Sequence, residues 1–146
     1  MPVDASFVGR TYPPGETYTV TRAEIAAFAE AVGATHPAHT DPEAAHALGY
    51  RDVVAPPTWP VVVAQRAEAA YVDDPAAGID FSRVVHAEER FRYARPVVAG
   101  DRLVATLRVD GVVERAGLAM VTTRVEMADE DGAPVVTVTS TLAVRP

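Results

Sequence analysis

Two hydrophobic periods divide this chain. Through about residue 72 apolar positions recur at helical spacing, and from residue 84 they alternate. Glu16 to Val20 reads as a short extended run after the turn-forming Pro13-Pro14-Gly15. Thr21-Arg22-Ala23-Glu24 has the form of a capping box, in which the Thr hydroxyl meets the Glu24 amide and the Glu side chain reaches back. Ile25, Phe28, Ala29 and Val32 then follow one helical face, and Gly33 supplies the stop. A second helix is expected from Asp41-Pro42, a cap followed by Pro at the first helical position, to Leu48-Gly49. A third, over 59–71, would be capped by Thr58, tolerate Pro60 in its first turn and end at Val72-Asp73-Asp74-Pro75. Its apolar residues cover most of the circumference, the pattern of an enclosed helix.

Beyond residue 83 the period is two. Val84 to Arg95 is expected to place Val85, Ala87, Phe91 and Tyr93 on one face and His86, Glu88, Arg90 and Arg92 on the other. Leu103, Ala105, Leu107 and Val109 form a second run, Val121, Thr123, Val125 and Met127 a third, and Val135 to Arg145 a fourth. Gly100-Asp101, Ala116-Gly117 and Asp131-Gly132 between them are hairpin chemistry. Sequential hairpins imply an antiparallel sheet, and a preceding apolar helix makes the class α+β. The expected architecture is a curved antiparallel sheet wrapped around the helix at 59–71, in a single domain spanning 1–146.

Composition narrows the chemistry. At 146 residues with 49% apolar and 23% charged side chains, the chain is long enough for a core without staples. It has no cysteine, which excludes disulfides, thiolate nucleophiles and cysteine-held metals. All 13 cations are arginine, so Schiff-base and P-loop lysines are excluded as well. The net charge of −7 opposes a nucleic-acid or anionic-membrane partner. No apolar run approaches the ~20 residues that span a bilayer, and the first residues have no signal or transit pattern, so a cytoplasmic location is expected. The glycine-rich nucleotide fingerprints and G-x-S-x-G are missing from the sequence.

Two stretches could carry chemistry. Gly33-Ala34-Thr35-His36-Pro37-Ala38-His39-Thr40-Asp41-Pro42 joins the first two helices and brings two histidines near a carboxylate. Histidine is the natural acid or base near neutrality. The alternative is that Asp41 only caps the second helix while both histidines are solvated. Three zinc ligands drawn from His36, His39 and Asp41 would lack a second shell, so no metal is expected. The other stretch is Ala55-Pro56-Pro57-Thr58-Trp59-Pro60. Its prolines leave the amides of Thr58, Trp59 and Val61 as donors at a helix start, able to polarise a carbonyl. Val84 to Phe91, running into Arg95-Pro96-Val97-Val98-Ala99-Gly100-Asp101, reads as a solvated sheet face.

Taken in order, these stretches resemble the MaoC-like hot-dog dehydratases, in particular the N-terminal-type branch that includes the non-catalytic subunit of mycolic-acid (3R)-hydroxyacyl-ACP dehydratases. The likeness runs from Phe7-Val8-Gly9-Arg10-Thr11-Tyr12 through Asp41-Pro42-Glu43-Ala44-Ala45, Gly49-Tyr50 and Val54-Ala55-Pro56-Pro57-Thr58 to Val85-His86-Ala87-Glu88 and Arg95-Pro96 to Gly100-Asp101. The resemblance implies a hot-dog fold and dimers whose acyl-thioester sites lie between subunits, with a CoA or acyl-carrier-protein thioester as substrate and no cofactor. Active members have the motif Gly-Asp-x-Asn-Pro-x-His-x-Asp-Pro. Gly33, Pro37, His39, Asp41 and Pro42 match it, but the catalytic Asp position is Ala34 and the Asn position is His36. By this resemblance His39 and His36 are the catalytic candidates, and the amides of Thr58 and Trp59 the candidates for holding the thioester oxygen. Three expectations stand: a substrate-binding subunit completed by a catalytic MaoC-like partner, a homodimeric hydratase using His39 and His36, or a non-enzymatic acyl-thioester binding protein.

Overall fold

The computed structural model describes residues 2–146. Three helices precede most of the sheet. α1 (Arg22–Val32) starts at Thr21 with both halves of the capping box formed and stops at Gly33, whose φ of 71° is the left-handed cap. α2 is Pro42–Ala47 and α3 is Val61–Val72. The strands are β1 (Thr11–Tyr12), β2 (Tyr18–Thr19), β3 (Val84–Tyr93), β4 (Arg102–Arg115), β5 (Leu118–Ala128) and β6 (Pro134–Val144). They form an antiparallel sheet in the order β1-β4-β5-β6-β3, with β2 also on β4. The α+β class and the sheet curved along the central helix are as the pattern predicts. No helix among the described residues is long and apolar enough to cross a membrane.

α3 begins two residues later than expected. Its cap position is Pro60, and no side chain caps it, so Thr58 does not play the capping role assigned to it. Pro60 supplies φ −59° itself, which starts the helix without a hydroxyl. The helix is also less enclosed than its composition suggests. Val63, Ala64, Tyr71 and Val72 are buried, whereas Gln65, Arg66 and Ala70 are exposed, because one sheet covers only one side.

The core lies between α3 and the concave sheet face. Trp59, Tyr71, Leu103, Leu107, Val121, Val125, Met127 and Leu142 are all at or below 2% exposure, and Tyr18 meets Trp59 edge-on at 5.9 Å. Full burial of each aliphatic side chain is worth ~1.5–3 kcal/mol, so this layer dominates stability. β4 and β5 alternate as expected. β3 does not: a bulge between His86 and Glu88 shifts its register on β6. One extra residue reverses the alternation. His86 therefore shares a face with Glu89, Phe91 and Tyr93, correcting the expected assignment of His86 to the opposite side.

The β4–β5 hairpin turns at Ala116-Gly117, with φ 51° and 78°. Both central residues are left-handed, as this turn requires, and alanine is the poorer fit. Ala116→Gly or Ala116→Asn is expected to raise stability by ~0.5–1 kcal/mol, read as a higher urea midpoint at unchanged slope.

Candidate functional site

The histidine loop is anchored at both ends. Ala34 N–H donates to Ala29 O at 2.8 Å, closing α1, and Asp41 Oδ1 accepts from Glu43 N–H at 3.0 Å, opening α2. Asp41 is thus engaged as a helix cap. Between them Pro37–His39 forms one tight turn, and His36 caps it by accepting the Ala38 N–H on Nδ1 at 3.1 Å. His39 Nδ1 lies 2.6 Å from Val54 O. A carbonyl can only accept, so His39 carries its proton on Nδ1 and leaves the Nε2 lone pair free. His36 is the reverse: Nδ1 is the acceptor and, in the neutral ring, Nε2 holds the proton. The rings stand edge to face, centroids 6.3 Å apart, with His39 half-buried and His36 exposed. The pair offers one base and one donor side by side.

Val54 is the pivot of this arrangement. Its N–H donates to Ala38 O at 3.0 Å while its carbonyl holds His39. The segment around it is bridged to the β3–β4 connection: Val54 pairs with Val98, Ala55 N–H donates to Val97 O and Ala99 N–H to Val53 O. Asp101 locks that connection. Only 4% exposed, its carboxylate accepts Arg51 Nη2 at 2.8 Å, Arg95 Nη1 and Nη2 at 2.8 and 3.2 Å, and Val98 N–H at 2.9 Å. Four charge-assisted bonds converge on one buried carboxylate. On the other flank Arg22 of α1 pairs with both oxygens of Asp52, 2.9 and 3.0 Å away. The position of His39 therefore depends on Asp101 through two short segments. From the sequence Asp101 reads as turn chemistry at the end of a solvated sheet face, whereas the structure buries it together with Val97, Val98 and Ala99. A lone acid closing the apolar run Val97-Val98-Ala99 was the available signal.

The proline-rich turn follows directly. Trp59 N–H donates to Pro56 O at 2.9 Å and Val61 N–H to Thr58 O at 3.1 Å, so neither amide is free in the way expected of it. The tight turn that starts α3 consumes them. Thr58 N–H donates to no protein acceptor among the described residues, and Thr58 is exposed while Trp59 is 1% exposed. Tyr93 O–H donates to Pro57 O at 2.6 Å and ties the end of β3 to this turn, and desolvation pushes its phenol up to about 12. The structure thus brings His36 and His39 together on one turn and joins it, through Val54 and Ala55, to the turn that presents Thr58.

Residues 6–138 match the family described as "FAS1-like, dehydratase domain region". The architecture agrees. A "MaoC-like dehydratase" superposes with a TM-score of 0.89 at 30% identity, covering 96% of this chain and 42% of that one. The chain is a MaoC-like hot-dog domain. A C-terminally truncated HadBC (3R-hydroxyacyl-ACP dehydratase) complex from Mycobacterium tuberculosis superposes with a TM-score of 0.84 at 32% identity, covering 94% of this chain and 96% of that one. A "UPF0336 protein" of Clavibacter michiganensis subsp. michiganensis is 53% identical over 145 residues, 99% of this chain and 97% of that protein. This MaoC-like domain therefore belongs to the hydratase/dehydratase hot-dog family.

Proposed function

We propose that this MaoC-like domain is the substrate-binding subunit of a (3R)-hydroxyacyl-thioester dehydratase, or enoyl-thioester hydratase, whose full acid–base pair comes from a second hot-dog chain. The observation that carries the reading is a preserved frame with a missing acid. His39 is fixed in one tautomer and Thr58 N–H has no protein acceptor among the described residues, while the motif position for the carboxylate is Ala34.

Dehydration breaks the C2–H and C3–O bonds of a 3-hydroxyacyl thioester. A base takes the C2 proton, an acid delivers a proton to the departing hydroxyl as water, and a donor holds the thioester oxygen as it gains enolate character. In this chain Thr58 N–H is the candidate for the oxygen, and His39 Nε2 is the base on offer. The carboxylate would come from the partner. The reaction needs no cofactor, and the substrate is an acyl-CoA or acyl-carrier-protein thioester.

Two features support assembly with a hot-dog partner. HadBC, similar over nearly all of this chain, is described as a complex. β3 stands at one end of the sheet and, among the described residues, pairs with β6 alone, with Val85 49% exposed. An edge strand with its outer backbone groups unpaired invites pairing with another chain.

The complementary tautomers of His36 and His39 favour a second reading, a homodimeric hydratase that works with these two rings. Hydration of a short enoyl-CoA separates the two. The isolated chain is expected to be inert and to become active when mixed with a hot-dog chain carrying an intact Gly-Asp-x-Asn-Pro-x-His motif. Turnover by the isolated chain that His39→Ala abolishes would reverse the choice. Binding without turnover beside every such partner would leave an acyl-thioester binding protein.

A further inference from the structure

A second polar cluster lies away from the histidine loop, under the edge strand. Glu68 is the lone acid inside α3 and is 4% exposed, on the face that also buries Ala64 and Tyr71. Thr123 Oγ1 of β5 donates to Glu68 Oε1 at 2.8 Å. Ser140 of β6, the register partner of Thr123, donates its hydroxyl to Glu89 Oε2 of β3 at 2.8 Å. Glu89 Oε1 in turn faces His86 Nδ1 at 3.1 Å, also on β3. The bulge described above puts His86 and Glu89 on this face.

Proton counting gives the chain a direction. Ser140 has one hydroxyl proton, and it goes to Glu89. Thr123 is then the one hydroxyl donor to Glu68 among the described residues, and towards Glu68 the Ser140 oxygen can only accept. A single acid proton held between the two carboxyls keeps the buried one uncharged. Remove that proton and two carboxylates compete for one hydroxyl in a desolvated setting. No arginine acts on Glu68 among the described residues. Glu89 and His86 on β3 are the charged groups whose fields reach it, and Asp73 lines the same cleft at the end of α3. Arg90 is on the other face, paired with Glu88. Burial pushes the Glu68 carboxyl above its ordinary value, and the Glu89 charge adds to this.

We propose that Thr123, Glu68, Ser140, Glu89 and His86 form a proton-operated latch that clamps edge strand β3 onto the central helix. The latch is closed with one proton between Glu68 and Glu89. Its loss sets like charges on α3 and β3 against each other, loosening β3 and widening the cleft of about 260 Å³ that Gln65, Phe81, His86 and Leu142 line with Glu68. Nothing in this depends on the thioester reading.

The pH direction follows from the raised carboxyl. Glu68 binds its proton more tightly folded than unfolded, so its contribution is full below the ordinary value of 4.5 and is lost as pH climbs through the raised one. The test is hydrogen exchange of the β3 amides bonded to β6, corrected for intrinsic exchange, across pH 5 to about 9. Protection of β3 is expected to fall by up to about tenfold per pH unit above the ionisation of Glu68, while the β4–β5 amides of the same molecules hold steady. Glu68→Gln, which keeps a donor and an acceptor without the charge, is expected to flatten that response and to remove the protonated-carboxyl infrared band that the native chain shows below the ionisation of Glu68. A parallel fall in both strand pairs of the native chain would overturn the proposal whether or not the variant folds. So would a Glu68→Gln protein with the native pH response.

Discussion

Asp101→Ala is expected to lower the melting temperature by about 10 °C and to release His39. The carboxylate is 4% exposed and accepts four hydrogen bonds, three from arginines. Removing it strands the Val98 amide in a buried turn and lets Arg51 and Arg95 swing to solvent. Losing the buried partner of such a group costs ~3 kcal/mol, and a domain of this size loses ~3–4 °C per kcal/mol. The effect reaches the site because Val98 pairs with Val54, whose carbonyl fixes the His39 tautomer. Calorimetry gives the first quantity. The nitrogen spectrum of His39 gives the second, as loss of a protonated Nδ1 held in one environment. Asp101→Asn, which still accepts the Val98 N–H, should fall between. A native-like melting temperature for the alanine variant would mean that Asp101 does not lock this connection.

The other large effect is a gain. Ala34→Asp combined with His36→Asn restores the acid and the asparagine of the active motif, and the isolated chain, inert in its native form, is then expected to hydrate a short enoyl-CoA ~10²–10⁴-fold above background, the usual worth of one positioned acid or base. The local structure tolerates the exchange. His36 accepts the Ala38 N–H at 3.1 Å as a turn cap, and asparagine is among the best residues for that position. Position 34 directly follows the left-handed Gly33 and is half-buried, between α1 and the His39 turn. Adding His39→Ala to the restored chain should return the rate to baseline. A restored chain that melts normally and stays inert would sink the view that one missing carboxylate separates this site from an active one.

Periodicity carried most of the fold because it reports burial directly. The capping box at Thr21, the stop at Gly33 and the alternation of β4 and β5 all rest on local chemistry that the sequence states outright. It failed where one residue changes the geometry without changing the composition. The bulge beside Ala87 leaves no mark on the hydrophobic pattern, yet it decides which face His86 joins. The start of α3 failed for a related reason: Pro60 and Thr58 both suit a helix start, and only the turn at Pro56 to Trp59 decides between them. Asp101 and Glu68 stayed invisible as hubs because their partners lie up to 55 residues away. His36 and His39 were legible as a chemical pair, but their opposite tautomers come from Ala38 and Val54, one local and one remote.

The strand order also dictates when the molecule can close. β3 pairs with β6, and residues 94–133 intervene, whereas β4, β5 and β6 follow one another through short turns. Contacts between distant segments form late, after nearby ones have reduced the search. During synthesis β3 leaves the ribosome before β4, β5 and β6 and waits for the last of them, with its inner edge and Val85 unprotected. The interval between making residue 84 and residue 144 is therefore when this chain is most open to chaperones, to misassembly and to a partner strand taking the place of β6.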